Sequence, residues 1–160
     1  MSVIPIVTGA QTEVLHKKAQ KVKDPNSLEI KQLIEDMFDS MHAAEGMGLA
    51  APQINRSVRV AVIEYEEKRS VYINPTLTSL SKEKVLFEEG CLSLPGQFFW
   101  IERSEQVTVR YQNEFGEDVK AKMSGIMAIA IQHEIDHLEG TLIIDRYKKQ
   151  KINPKTPVWR

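Results

Sequence analysis

The chain has few of the residues that cross-link a protein: one cysteine and four histidines among 160 residues. A single cysteine, Cys91, excludes any disulfide within the chain and suits a reducing compartment. The longest apolar run, from Ile126 to Ile131, is only six residues and is too short to span a bilayer. The net charge of −1 lacks the basic excess that is typical of nucleic-acid-binding proteins. We therefore expect one globular domain, with no membrane partner and no sequence-specific nucleic-acid partner.

The N-terminal residues show no targeting signal. They lack the charged-then-apolar order of a secretory signal, and their acidic residues argue against a transit peptide. Hydrophobic residues make up 42% of the chain and charged residues 27%, which is ordinary for a globular domain. We expect the protein to be cytoplasmic.

Hydrophobic spacing predicts two helices with strands between them. The first helix is predicted from about Leu28 to Ala44, with Asn26 or Ser27 as its cap, and the second from Ser124 to about Leu138. Strand patterns cover residues 58–65, 70–74 (ended by Pro75) and 85–93, and a hairpin joins 105–111 to 117–123. Because strands and helices do not alternate regularly, the pattern predicts the α+β class.

The second predicted helix carries the pattern H-E-x-x-H at His133–His137. Residues four positions apart share one face of a helix, so His133 and His137 can bind the same metal ion. Glu134 then lies where it can act as a base on a water bound to that ion. The pattern indicates a metal-dependent hydrolase, although H-E-x-x-H alone also arises by chance on helix surfaces.

A catalytic metal usually has three protein ligands, so one more is needed. The third histidine position of the metzincin pattern is Ile143 here, and Asp145, the only acid after Glu139, is too close for the gluzincin layout. The remaining ligand must lie upstream, where Cys91 is the strongest candidate. The preceding Gly90 would let another backbone or a substrate approach closely. A lone cysteine is otherwise most often a small buried apolar residue.

Three motifs occur in order along the chain, at Gly46–Gln53, Glu89–Ser93 and Gln132–His137. They resemble the G-x-G-L-A-A-P-Q, E-G-C-L-S and Q-H-E-x-D-H motifs of peptide deformylases and match them at every defined position. The resemblance implies an α+β fold in which antiparallel strands pack around a central helix carrying H-E-x-x-H. We expect a single catalytic domain over residues 1–147, followed by a short basic tail over residues 148–160.

The resemblance implies an activity and a cofactor. The family removes the formyl group from the N-terminal formyl-methionine of newly synthesised polypeptides and releases formate. By resemblance, Cys91, His133 and His137 hold Fe(II), which Zn(II), Ni(II) or Co(II) can replace. The sequence does not identify the metal, because this ligand set binds several first-row cations.

The resemblance also assigns catalytic and substrate-binding residues. Glu134 would be the base, and the side-chain amide of Gln53 and the backbone N–H of Leu92 would stabilise the oxyanion. Glu89 and Arg103 resemble a pair that braces the strand of Cys91. The alternative for Glu89 and Arg103 is a solvated surface position. The residues that would contact substrate are Met47, Gly48, Phe87, Gly90, Ile126, Ile129 and Ala130. For the apolar residues of this substrate set, the alternative is plain core packing.

The C-terminal segment departs from the family pattern, and the sequence leaves the environment of an aromatic run undecided. Many bacterial members dock on the ribosome with a longer C-terminal helix, which Pro154 and Pro157 oppose here. The basic run after Asp145, which begins at Arg146, either contacts ribosomal RNA electrostatically or only solubilises the chain. The aromatic run Phe98–Trp100 lines the substrate cleft, forms an oligomer contact or lies inside.

Two other functions remain as alternatives to the deformylase. One is a metallopeptidase that uses the same H-E-x-x-H helix, although it lacks a third histidine or acid at the expected spacing. The other is a structural or regulatory metal-binding protein. Glu134 and Gln53 argue against it, because a structural site needs neither a base nor an oxyanion donor.

Overall fold

The computed structural model describes residues 2–159, which contain two β-sheets, three α-helices and two short 3₁₀ turns. The helices are α1 (Leu28–Ala43), α2 (Gly125–Leu138) and α3 (Ile143–Lys149). The strands are β1 (Gly48–Ala50), β2 (Val60–Tyr65), β3 (Lys68–Leu80), β4 (Lys84–Cys91), β5 (Leu94–Ser104), β6 (Gln106–Gln112), β7 (Asp118–Ser124) and β8 (Val158–Trp159).

The strands form a five-stranded sheet and a three-stranded sheet. The larger sheet has the order β1-β2-β3-β6-β7, with every neighbouring pair antiparallel. The smaller has the order β5-β4-β8, in which β8 runs parallel to β4. This arrangement confirms the predicted α+β class. No helix within residues 2–159 is both long and apolar enough to cross a membrane.

Helix α2 lies at the centre of the molecule and buries most of its surface. Ala128, Ile131 and Leu138 are fully buried in a cluster that also contains Ala61 of β2 and Tyr72 of β3. Each fully buried large aliphatic side chain stabilises the fold by about 1.5–3 kcal/mol. The well-packed helix is therefore a rigid platform for the side chains that it presents.

Helix α1 begins where the sequence predicts. The Ser27 hydroxyl accepts a hydrogen bond from Ile30 N at 3.2 Å, which satisfies one of the free N–H groups of the first turn. Its apolar face, including Leu33 and Met37, packs in a second cluster with Leu49 of β1. The helix therefore holds β1 against the larger sheet.

The predicted end of the strand over residues 70–74 at Pro75 is wrong, because the observed strand β3 continues to Leu80. The register against β6 shifts between Ile73 and Thr76, so Pro75 falls in an irregularity where no ladder N–H is needed. Asn74 has a φ of 54° there, and its side chain hydrogen-bonds both backbone groups of Val22. The sequence pattern predicts a strand end at Pro75 because proline cannot donate a ladder hydrogen bond and is usually found at the ends of strands.

Strand β5 was not predicted, and it contains the aromatic run. The strand predicted over residues 85–93 ends at Cys91 and turns back into β5. Phe98 is 64% exposed, whereas Phe99 is partly buried and packs against Tyr147 of α3, with tilted rings whose centroids are 5.0 Å apart. The three aromatic residues therefore do not share one environment.

The C-terminal segment folds back onto β4. Leu86 N donates a hydrogen bond to Pro157 O at 2.8 Å, and the Thr156 hydroxyl donates to Glu102 Oε2 at 2.7 Å. The predicted domain boundary at residue 147 falls inside α3. The tail thus adds an edge strand beside the strand that leads to Cys91.

Candidate metal centre

The end of β4 and one face of α2 bring three metal-ligating side chains together. Cys91, His133 and His137 each offer one ligand atom, and these atoms all lie within 4.8 Å of one another. The Cys91 Sγ atom is 3.4 Å from Nε2 of His137. Tetrahedral coordination with ordinary zinc–sulfur and zinc–nitrogen bonds separates such atoms by about 3.6 Å. The spacing therefore fits one small cation.

The surroundings of His133 also fit a metal ligand. His133 Nδ1 lies 2.8 Å from Glu89 Oε1, which leaves Nε2 as the ligand atom of that ring. A carboxylate on the far nitrogen of a ligating histidine fixes the ring and raises its basicity. His137 Nδ1 is buried and has no hydrogen-bond partner within residues 2–159. One thiolate with two imidazoles is a donor set that suits zinc and ferrous iron.

The protonation of the two histidines differs. Burial lowers the pKa of His137 well below its usual value, so this ring is neutral and ready to bind a cation. Burial would also lower the pKa of His133, but hydrogen bonds to Cys91 and Glu89 raise it well above the usual value. A proton is therefore held where the cation would bind, and metal binding would release it.

Glu134 lines the same site without being one of the three ligands. It is 5% exposed, and its Oε2 atom has no hydrogen-bond partner within the described residues. Burial raises the pKa of Glu134 to about 7, with the charge of His133 opposing that rise. A carboxyl group with such a pKa exchanges protons readily near neutral pH.

The side chain of Gln53 is held with its amide N–H group directed at the sulfur of Cys91. Its Oε1 atom accepts a hydrogen bond from Ala50 N at 2.9 Å, which fixes the orientation of the amide. Its Nε2 atom then lies 3.7 Å from Cys91 Sγ and 3.1 Å from Ser93 Oγ. Gln53 is therefore a fixed, neutral hydrogen-bond donor beside the proposed metal.

The predicted pairing of Glu89 with Arg103 is confirmed by its geometry. Arg103 Nε and Nη2 donate to the two carboxylate oxygens of Glu89 at 2.7 and 2.8 Å, and both residues are buried. Burial alone would raise the pKa of Glu89, but the bonds and charge of Arg103 lower it to about 2. Glu89 is thus a permanent carboxylate behind His133.

Two residues of this ionic network were not predicted from the sequence. Asp136, the acid of the third motif, bonds to Arg103 Nη1 at 2.6 Å. Arg146, which begins the basic run of the sequence, donates two hydrogen bonds to Asp136. The acid between the two histidines was the available signal for Asp136, but nothing in the local sequence indicates its partner.

A cleft of about 540 Å³ opens on the metal centre. Phe98 lies at its wall, which is one of the three alternatives left open for the aromatic run. Gln53, Cys91, Leu92, His133 and Glu134 also face this cleft. All seven residues that the resemblance assigned to substrate contacts line it: Met47, Gly48, Phe87, Gly90, Ile126, Ile129 and Ala130.

A larger depression of about 1140 Å³ lies elsewhere, against β3, β6 and β7. Its lining includes the basic residues Lys21, Lys23, Arg59, Arg110 and Lys120. It contains none of the motif residues, whereas Cys91 and His133 of the one metal-ligating cluster found within residues 2–159 line the smaller cleft. Size alone therefore does not mark the active site.

A cysteine sulfur and two imidazoles around a cation-sized gap, with a buried carboxyl group beside them, define a metal-dependent hydrolase. The polypeptide deformylase family model matches residues 4–153. The chain belongs to the polypeptide deformylase family, which is a family of metalloenzymes.

Individual relatives agree with this assignment. The peptide deformylase of Pseudothermotoga lettingae is 48% identical over 132 residues, covering 82% of this chain and 76% of that protein. The crystal structure of peptide deformylase from Thermotoga maritima superposes with a TM-score of 0.87 at 40% identity, covering 91% and 98% of the two chains. The crystal structure of the Ehrlichia chaffeensis peptide deformylase in complex with actinonin superposes with a TM-score of 0.88 at 37% identity. The match covers 93% of this chain and 91% of that chain.

Proposed function

We propose that this protein hydrolyses the N-formyl group of formyl-methionyl polypeptides as they are synthesised, giving formate and a free α-amine. The observation that carries this proposal is the convergence of the ligand atoms of Cys91, His133 and His137. Cys91, His133 and Glu134 line one cleft. Membership of the deformylase family supports the choice of a formamide rather than a peptide bond.

Cys91, His133 and His137 would hold one cation, for which we propose Fe(II), with Zn(II), Ni(II) or Co(II) as substitutes. When bound, the cation would act as a Lewis acid that activates water. The donor set supports a first-row metal without distinguishing among these ions.

Glu134 moves the proton of the reaction. It takes a proton from the attacking water, whose oxygen bonds to the formyl carbon, and delivers that proton to the leaving nitrogen as the C–N bond breaks. Burial favours the protonated form of Glu134, which helps a carboxylate to accept the proton and later to return it. The Glu134 carboxylate is available for this role, since its Oε2 atom has no hydrogen-bond partner among the described residues.

Gln53 and Leu92 would stabilise the oxyanion of the tetrahedral intermediate. Gln53 Nε2 is fixed by the bond between its Oε1 atom and Ala50 N, so it needs no reorganisation during the reaction. The backbone N–H of Leu92 directly follows the ligand Cys91, and Leu92 lines the cleft. A neutral amide also has the advantage that it does not compete for the metal.

The substrate backbone would lie along β1. This strand is at the edge of the five-stranded sheet, and an edge strand offers unpaired backbone groups to an extended peptide. Gly48 and Gly90 remove side chains where that backbone would pass. We propose that five apolar residues form the pocket for the methionine side chain: Met47, Phe87, Ile126, Ile129 and Ala130.

One assay separates the deformylase from its two alternatives. Anaerobically prepared, Fe(II)-loaded protein is offered formyl-Met-Ala-Ser or the same peptide without the formyl group, and formate and peptide cleavage are measured. Formate from the first peptide alone supports our proposal. Cleavage of the peptide bonds would favour a metallopeptidase, and no product from either would favour a structural or regulatory metal site. Glu134→Ala is the matched control, which should retain metal and release almost no formate.

We propose a cytoplasmic location, because formylated polypeptides are made there. Ribosome contact through the tail stays a prediction, supported by the charges of Lys148, Lys149, Lys151 and Lys155. Replacing these four lysines by glutamine should reduce co-sedimentation with ribosomes at low salt if the tail binds ribosomal RNA. Unchanged co-sedimentation would mean that the tail only solubilises the chain.

A further inference from the structure

An unbroken row of ionic hydrogen bonds joins α3 to a proposed metal ligand. Arg146 of α3 bonds to both carboxylate oxygens of Asp136, with Nη2 2.6 Å from Oδ1 and Nε bonded to Oδ2. Arg103 Nη1 bonds to Asp136 Oδ2 at 2.6 Å, and the opposite edge of Arg103 binds Glu89. Glu89 Oε1 lies 2.8 Å from His133 Nδ1.

The four charges of this row alternate in sign. Arg103, Glu89 and Asp136 are 2%, 4% and 8% exposed, whereas the Arg146 side chain is 46% exposed. Without Arg146, the single guanidinium of Arg103 would face two buried carboxylates. A buried carboxylate that loses a partner is strongly destabilised, so Asp136 would compete with Glu89 for Arg103.

Local structure places Arg146 for this contact. Leu142 N donates to Asp145 Oδ2 at 2.8 Å, which caps the start of α3 and sets the orientation of its first turn. Leu142 and Ile143 are buried beside β5, which fixes the helix on the smaller sheet. The arginine therefore reaches Asp136 from a fixed element and not from a mobile tail.

We propose that Arg146 is a positioning residue of the metal centre. By neutralising Asp136, it leaves the Nε and Nη2 edge of Arg103 to Glu89, which in turn orients His133 toward the metal. This inference rests on the ligand set of the proposed function. Its physical basis is that groups which hold a metal-ligating histidine commonly change metal affinity by about 10- to 100-fold when they are removed.

The test compares Arg146→Met, which removes the charge but keeps much of the length, with Arg146→Lys, which keeps the charge but loses the two-pronged contact. Lys148→Met is the matched control, because Lys148 is an exposed basic residue of the same helix. Zinc affinity is measured by competition with a chelator, and the absorption spectrum of the cobalt-loaded protein reports the ligand geometry. Circular dichroism verifies that each variant is folded.

We expect Arg146→Met to bind zinc about tenfold more weakly and to alter the cobalt spectrum. Arg146→Lys should bind with an affinity between those of Arg146→Met and the unaltered protein, and Lys148→Met should match the unaltered protein. Zinc affinity of Arg146→Met within twofold of the unaltered protein, with an unchanged cobalt spectrum, would overturn the inference. Should Arg146→Met not fold, Arg146→Gln takes its place as the uncharged variant, and an unaltered zinc affinity in Arg146→Gln would overturn the inference equally.

A failure of the ligand set itself gives a different result. The unaltered protein and Cys91→Ser would then bind zinc with the same affinity, whatever Arg146 does. A loss of affinity in Cys91→Ser, together with normal affinity in Arg146→Met, would leave the ligand set standing and remove only the role of Arg146.

Discussion

Gly48 lies against the carboxylate of Glu134. A methyl group at position 48 would stand 2.8 Å from Glu134 Oε1 and 3.4 Å from Val62 O. The backbone of β1 therefore passes so close to the proposed base that only glycine leaves the carboxylate in place. The glycine has a structural role here that is separate from any contact with substrate.

Gly48→Ala should lower kcat by about 100-fold while the metal content stays normal, because the added methyl group displaces the Glu134 carboxylate by a fraction of an ångström or more. Formate release and elemental analysis provide the two measurements. In a Glu134→Ala background the crowding is relieved, so Gly48→Ala should then destabilise the fold less than it does alone. A variant with normal kcat would show that the carboxylate does not need this position.

Gln53→Glu should separate the structural role of Gln53 from its proposed catalytic role. Glutamate still accepts the hydrogen bond from Ala50 N, but it has no N–H to donate. We expect kcat to fall about 100- to 1000-fold, as for other lost oxyanion donors. The thermal unfolding midpoint should fall as well, because the new carboxylate is buried without a cationic partner. A fall in stability without a fall in kcat would mean that Gln53 only holds its turn together.

Arg103→Met should unfold far more easily than the unaltered protein. Removing one partner of a buried ion pair commonly costs about 3–5 kcal/mol, because the other charge stays buried without compensation. Lys17→Met is the control, since Lys17 and Glu13 form an exposed pair, and such pairs contribute at most about 1 kcal/mol. The free energy of unfolding is measured in urea, and equal losses in the two variants would contradict the bracing role of Arg103.

Tyr72 should make the fold sensitive to alkaline pH. Burial raises the pKa of Tyr72 to about 12, with a hydrogen bond to Ser70 acting in the opposite direction. Because the pKa is raised in the folded state, the stabilisation is complete below the unfolded pKa near 10 and is lost as pH rises toward 12. Between pH 9 and pH 12, the free energy of unfolding of Tyr72→Phe should therefore fall by roughly 2 kcal/mol less than that of the unaltered protein. Parallel pH profiles of the two proteins would contradict this.

Local patterns predicted what depends on local structure. The apolar spacing and cap of α1, and the course of α2 from Gly125 to Leu138, are properties of consecutive residues, and the structure confirms both helices. Cys91, at the end of β4, and His133, in α2, come together only in the folded chain. The three motifs indicated that meeting by resemblance, not by periodicity.

Other features depend on contacts between distant residues. Pro75 was read as a strand end, but pairing with β6 carries β3 past it through a shifted register. Arg146 was placed in a solvated basic tail, since its partner Asp136 lies in another helix and the pairing has no local signature. The strand β8 likewise exists because Leu86 and Phe87 offer a free edge to the folded-back tail.

X-ray absorption spectroscopy at the zinc edge, on protein loaded with one equivalent of zinc, tests the central claim most directly. We expect one sulfur ligand at about 2.3 Å and nitrogen or oxygen ligands at about 2.0–2.1 Å, with the sulfur absent in Cys91→Ser. A spectrum of the unaltered protein with no sulfur ligand would contradict the metal centre from which every proposed role follows.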